Sequence, residues 1–165
     1  MVIFWTILSV VILFLLMCAL LVHVNAREVE RYAARLEEAM WTRRNKMPLL
    51  LEVAAPSGNI QVLRKEIIDL TEKASSKSYS LADKVAMEKI LTNHLSELFR
   101  NGQKVTDALF ISLREEVAKS LTEMKIVLHE YNTAIEKCNS RMTLPWFKIF
   151  RFLGKNVPNS RLEEL

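Results

Sequence analysis

Hydrophobic and polar positions divide this chain unequally. From Val2 to Val22 the sequence VIFWTILSVVILFLLMCALLV carries no charge, whereas from Arg27 onward charged residues recur throughout. At about 1.5 Å per residue the apolar run measures roughly 30 Å as a helix, the hydrocarbon thickness of a bilayer. A core helix of a soluble protein seldom stays apolar on every face for that length, so the pattern predicts a transmembrane helix. The competing reading is a cleaved signal peptide, because Val24-Asn25-Ala26 offers small or apolar residues at a spacing that signal peptidase accepts. No Lys or Arg precedes the run, and it exceeds the usual ~7–15 residues of a signal h-region. A retained anchor is therefore expected.

Beyond the run, apolar residues recur at helical intervals. Val29, Tyr32, Leu36, Ala39 and Met40 continue the first helix as one rod. Pro48 marks a corner, because the residue before a proline is pushed out of α geometry while proline itself suits the first helical turn. A second helix starting there is broken or kinked at Pro56-Ser57-Gly58 and resumes near Asn59, with Val62, Leu63, Ile67, Leu70 and Ala74 on one side. Ser75 to Ser80 reads as a loop. With Ser80 as N-cap, a third helix runs through Leu81, Val85, Ile90, Leu91, Leu95 and Leu98 to a stop at Asn101-Gly102. The fourth extends from Thr106 to about Met142, its stripe formed by Leu109, Leu113, Val117, Leu121, Met124, Leu128, Tyr131, Ile135, Cys138 and Met142. These elements predict an all-α protein in which an N-terminal transmembrane helix leads into an antiparallel up-and-down four-helix bundle. The divisions expected are an anchor and flank at 1–26, a helical bundle at 27–142 and a C-terminal tail at 143–165.

Composition agrees with helices, since Gly numbers 3 and Pro 4 in 165 residues. The 2 cysteines, Cys18 in the span and Cys138 on a helix, make neither a disulfide framework nor a metal knuckle. A net charge of +4 spread along the chain, with no basic stripe interleaved with aromatics before the tail, argues against nucleic acid as a partner. Charge does bear on orientation. Arg27, Arg31, Arg35, Arg43, Arg44 and Lys46 follow the span while only the α-amino group precedes it, so the positive-inside rule puts the N-terminus outside and the bundle in the cytoplasm.

At the end of the long helix stands Tyr131-Asn132-Thr133-Ala134-Ile135-Glu136-Lys137-Cys138-Asn139, followed by Met142, Leu144-Pro145 and an apolar segment with Phe150, Phe152 and Gly154. This resembles the LemA family, whose members carry a YN-x-A-x-x-x-YN pattern, an apolar-Pro pair and a Phe-rich stretch with Gly. A second block, Arg43-Arg44-Asn45-Lys46-Met47-Pro48-Leu49-Leu50-Leu51-Glu52, is similar to the family's RR-x-D-L-x-P-x-L-x-E and stands in the right order, one residue shorter. Cys138 occupies the place of the second Tyr, Lys46 that of the acidic residue, and Pro56-Ser57-Gly58 interrupts a helix that is continuous in the family. The resemblance implies a bundle on a single-pass anchor in a bacterial cell membrane or membrane organelle. It also implies kinship with proteins some of which build such organelles.

The residues of these motifs are the candidates for interaction or structure. Asn132 and Asn139 are seven apart, about 700° round a helix, and so share a face to within roughly 20°. Tyr131 and Cys138 do the same beside them. Buried asparagines fixing helix register compete here with a ligand or partner site. For Arg43 and Arg44 the alternatives are phosphate or lipid contact and charges complementing the helix dipole. In the tail, Leu144, Trp146, Phe147, Ile149, Phe150, Phe152 and Leu153 alternate with Lys148, Arg151 and Lys155 after Pro145, an interfacial signature, unless these aromatics cap the bundle.

Catalytic patterns are thin. His129-Glu130 opens like a zincin motif, but position 133 is Thr. His129 and Cys138 are about 900° apart on one helix and face opposite sides, which rules out a nucleophile-base pair between them. No enzyme activity, cofactor or metal is expected. The expected partners are membrane lipid, a membrane or cytoplasmic protein, and further copies of the chain.

Overall fold

The computed structural model describes residues 1–54, 60–101, 107–148, 150, 157–158 and 160–165. Among the described residues the helices in chain order are α1 (Val2–Arg44), α2 (Met47–Val53), α3 (Ile60–Ser75), α4 (Leu81–Asn101), α5 (Ala108–Met142) and α6 (Pro145–Lys148). Among the described residues there is no strand, and the protein is all-α. The break expected at Pro56-Ser57-Gly58, the Gly102 stop and the Thr106 start lie outside the described residues, as do Ile149 and positions 151–156 of the tail.

α1 carries the apolar run and the first amphipathic stretch without interruption. Its two early hydroxyls are satisfied internally, Thr6 donating to the Ile3 carbonyl and Ser9 to that of Trp5, each at 2.8 Å. Most of the run faces outward, Ile3, Leu13 and Leu16 being 76, 70 and 62 % exposed. The helix is long and apolar enough to cross a membrane, its most apolar window having a mean hydropathy of 3.0 with only 11 % buried inside the protein.

Capping explains where the other helices begin. Pro48 lies in the first turn of α2, where its missing N–H costs nothing. Ser80 caps α4 as expected: the Asp83 amide donates to its hydroxyl at 3.2 Å, and the Asp83 carboxylate accepts from the Ser80 amide at 3.1 Å, a reciprocal box. At α5 the described cap is Asp107, whose carboxylate accepts from the Leu109 amide at 2.7 Å.

The chain forms two compact units, Met1–Ala34 with Glu130–Arg161, and Arg35–His129 with Leu162–Leu165. α1 and α5 are each continuous, and each contributes to both units.

In the second unit, Met47, Leu50 and Leu51 of α2, Leu63 and Ile67 of α3, Leu91, Leu95 and Leu98 of α4, and Phe110, Leu113 and Val117 of α5 share one core. Phe99 and Phe110 meet edge to face at 6.4 Å. Polar pairs fix the helix directions. Glu37 with Lys84 and Arg43 with Glu88 advance together, so α1 and α4 are parallel, whereas Glu66 opposite His94 and the short turn at Ser76 make α3 and α4 antiparallel. These directions are compatible with the alternation of an up-and-down bundle.

Three residues assigned to core stripes stand outside them. Val62 is 69 %, Ile90 46 % and Leu109 48 % exposed, while their neighbours Leu63, Leu91 and Phe110 are buried. One residue is a 100° step round a helix, and an apolar residue at the edge of a stripe turns outward when the stripe is centred on the next position. In the first unit, Cys18, Val22, Asn25, Ala26 and Val29 form the buried face of α1, and Tyr131, Asn132, Ala134, Ile135 and Cys138 that of α5.

Leu95→Ala should lower the unfolding free energy by about 2–5 kcal/mol, and Ile90→Ala by less than about 0.5 kcal/mol. Urea unfolding of the detergent-solubilised chain, followed by circular dichroism, separates the two. Equal losses would return Ile90 to the core.

Candidate functional site

Arg43 and Arg44 occupy the last turn of α1, where cations suit the helix dipole, yet both guanidiniums point inward. Arg43 Nη1 donates to Glu88 Oε2 at 2.9 Å. Arg44 Nε stands 3.2 Å from Glu88 Oε1 and donates to the Met40 carbonyl, while its Nη1 donates to Ser75 Oγ at 3.3 Å. The side chains of Arg43, Arg44 and Glu88 are 1, 6 and 0 % exposed. The phosphate or lipid contact considered for these arginines does not fit that geometry, because their charges are spent on an internal carboxylate.

Burial raises the Glu88 carboxyl above the usual range, with Arg43 and then Arg44 opposing, and lowers the Arg43 guanidinium, with Glu88 opposing. Two cations face one anion. Arg43 Nε and Glu88 Oε1 have no hydrogen-bond partner among the described residues. Such a cluster aligns helices more than it stabilises them, since ion-pair desolvation can exceed the Coulombic gain. Glu88 was absent from the candidates, although it lies on the buried line of α4 between Val85 and Leu91, three residues from each.

Pro48 is exposed and borders an open groove of about 470 Å³ with Met47, Leu51, Arg64, Ile68 and Glu72. Nearby, Lys46 pairs with Glu116 at 2.8 Å.

The tyrosine-asparagine motif belongs to the other unit. Tyr131 and Cys138 are 2 and 1 % exposed, and Asn132 is buried beside them. Burial raises the Tyr131 phenol, and burial raises the Cys138 thiol against the pull of Arg141. A buried neutral thiol is a poor nucleophile. Asn139 is half-buried and donates from Nδ2 to the Pro158 carbonyl at 3.0 Å, so its amide holds the returning tail rather than a ligand.

Two further contacts define this end of the protein. Arg141 Nη1 donates to Asn25 Oδ1 at 2.9 Å, and Lys137 pairs with Glu28 at 3.3 Å. As α5 advances α1 recedes, so the two helices run antiparallel here. After α5, three tight turns follow, the amides of Leu144, Phe147 and Phe150 donating to the carbonyls of Arg141, Leu144 and Phe147. Pro145, Trp146 and Phe147 lie in α6, with Pro145 exposed and Phe147 half-buried. The chain returns to α5 through Asn139–Pro158 and an ion pair between Glu136 and Arg161. Asn25 and Arg141 were not among the candidates; the one signal was that Asn25 lies just past the apolar run.

Elsewhere His94 Nδ1 lies 3.7 Å from a Glu66 carboxylate oxygen, and His129 is exposed. Among the described residues no three His, Cys, Asp or Glu side chains are grouped to hold a metal. Compared with protein-family models, curated proteins and solved structures, the chain matches none.

Glu88→Gln leaves two buried guanidiniums without their anion and should cost about 3–5 kcal/mol, whereas the triple variant Arg43→Met, Arg44→Met, Glu88→Leu, which removes every charge of the cluster, should cost much less. Chemical denaturation of both variants checks this, and a mild single variant would deny the cluster its alignment role.

In a Cys18→Ala background, iodoacetamide at neutral pH should label Cys138 only after unfolding. The raised thiol and phenol also set a pH dependence. The folded chain holds these protons more tightly than the unfolded chain, where their ordinary values are 9.0 and 10.0. The stability they contribute is complete below about pH 9 and is lost as pH rises further, which melting temperatures across alkaline buffers would record.

Proposed function

We propose that the protein is a non-enzymatic, single-pass membrane-anchored helical module of LemA type, acting as a scaffold for a membrane or cytoplasmic protein in a bacterial membrane. One observation carries this reading: α1 passes without a break from a stretch that turns apolar side chains outward to one that is amphipathic and packed. A helix of that kind ties a folded domain to a bilayer. The arginines that follow the span orient the bundle toward the cytoplasm. The Arg43, Arg44 and Asn139 side chains serve internal contacts, which leaves exposed helix faces as the surfaces offered to partners or to further copies of the chain.

A second reading, a membrane-shaping or organelle-building factor acting on lipid through its anchor and tail, draws support from the pinning of the tail to the end of α5, which is itself bonded to α1.

Lys125, on the exposed side of α5, is a suitable position for a photo-crosslinking residue in living cells. The scaffold reading expects capture of a discrete protein other than the chain itself. Capture of lipid alone, or of the chain alone, would overturn it in favour of the second reading.

A further inference from the structure

The tail is pinned at both ends to one level of the molecule. It leaves α5 beyond Arg141, which is bonded to Asn25, and it returns at Pro158, which is bonded to Asn139. Asn25 is three residues past the end of the apolar run, or about 4.5 Å along the helix. The level is therefore that of the membrane boundary, if α1 is the span.

Direction follows from the register of α1 and α5. Because they run antiparallel there, the end of α5 points toward the N-terminal, apolar part of α1. On α1 itself the buried face continues in that direction. Val22 and Cys18 are each 2 % exposed, whereas Leu16, Met17 and Leu20 around them are 62, 53 and 62 % exposed. Cys18 lies seven residues, about 10 Å, beyond Asn25, while α5 ends at Met142, one residue past Arg141. The end of α5 is thus directed along this buried face of α1.

The chain that follows α5 opens with Thr143-Leu144-Pro145-Trp146-Phe147-Lys148 and continues with Phe150. Leu144 is 48 % exposed, and Phe147 and Phe150 are half-buried, so the packing against the protein is one-sided. Aromatic and basic residues in a short segment match the layer between headgroups and acyl chains, where an amphipathic side chain finds both solvents.

We propose that residues 143–148 and Phe150 form a second membrane-contacting element, seated in the interfacial lipid of the same bilayer that α1 crosses and held there by the Asn25–Arg141 and Asn139–Pro158 bonds. The proposal rests on the reading of α1 as the anchor, and its occupant is phospholipid rather than a protein. The tail thereby fixes the depth and tilt of the span.

The test uses the full chain reconstituted into phosphatidylcholine vesicles with and without bromine at acyl positions near the interface. One variant keeps a single tryptophan at position 147 through Phe147→Trp with Trp5→Phe, Trp41→Phe and Trp146→Phe. A second, with Trp41→Phe and Trp146→Phe, keeps only Trp5 as a reporter of the anchor. A third, carrying Phe150→Trp in place of Phe147→Trp, guards against a local fault at position 147. Bromolipid should remove most of the emission from Trp5 and from at least one tail position. Quenching of Trp5 with both tail positions unquenched overturns the proposal and leaves the anchor standing. Loss of quenching at Trp5 overturns the anchor, and the proposal with it.

Discussion

The unbroken backbone ladder of α1 is the constraint on which the remaining structure depends. Its first half presents leucine, isoleucine and phenylalanine side chains outward on nearly every face, a surface that water penalises at about 25 cal/mol per Å². Its second half buries only a stripe and ends in two charged side chains. Neither half suits the other's solvent. One continuous helix carries both halves, so the change of solvent falls within a single backbone ladder and not at a linker.

Polar groups then set the alignment that apolar packing leaves loose. Leucines and isoleucines tolerate small shifts between helices, because the hydrophobic effect is non-directional. Glu88 between two guanidiniums does not tolerate them, nor does the Arg141–Asn25 bond. Each unit therefore contains a buried or part-buried polar clasp that names helices to be joined. The second unit spends charge on it, while the first uses amides and a guanidinium at its open end.

Helices, their order and most of their faces were readable from the residues, since they follow from local rules: the three-four recurrence of apolar positions, the Ser80 cap, the Pro48 corner. Partners in space were not. Arg43 meets Glu88 across 45 positions, and Arg141 meets Asn25 across 116, and no periodicity encodes which two helices adjoin. The same limit explains Val62, Ile90 and Leu109, apolar residues one step from a buried stripe whose centre is set by neighbouring helices. Asn139 was rightly placed on the face of Asn132 by spacing, yet its bond to Pro158 depends on where the tail turns back.

The charge imbalance of the Arg43–Arg44–Glu88 cluster bears on mechanics. Sliding α1 along α4 by one helical turn, about 5.4 Å, would carry both guanidiniums past their carboxylate, and rotating α1 would do the same. The contact thus behaves as a keyed shaft in its socket, with one setting and no gradual adjustment. A pull on the end of α1 that stayed below the strength of this key would leave the α1–α4 contact unchanged, and a stronger pull would release it in a single step.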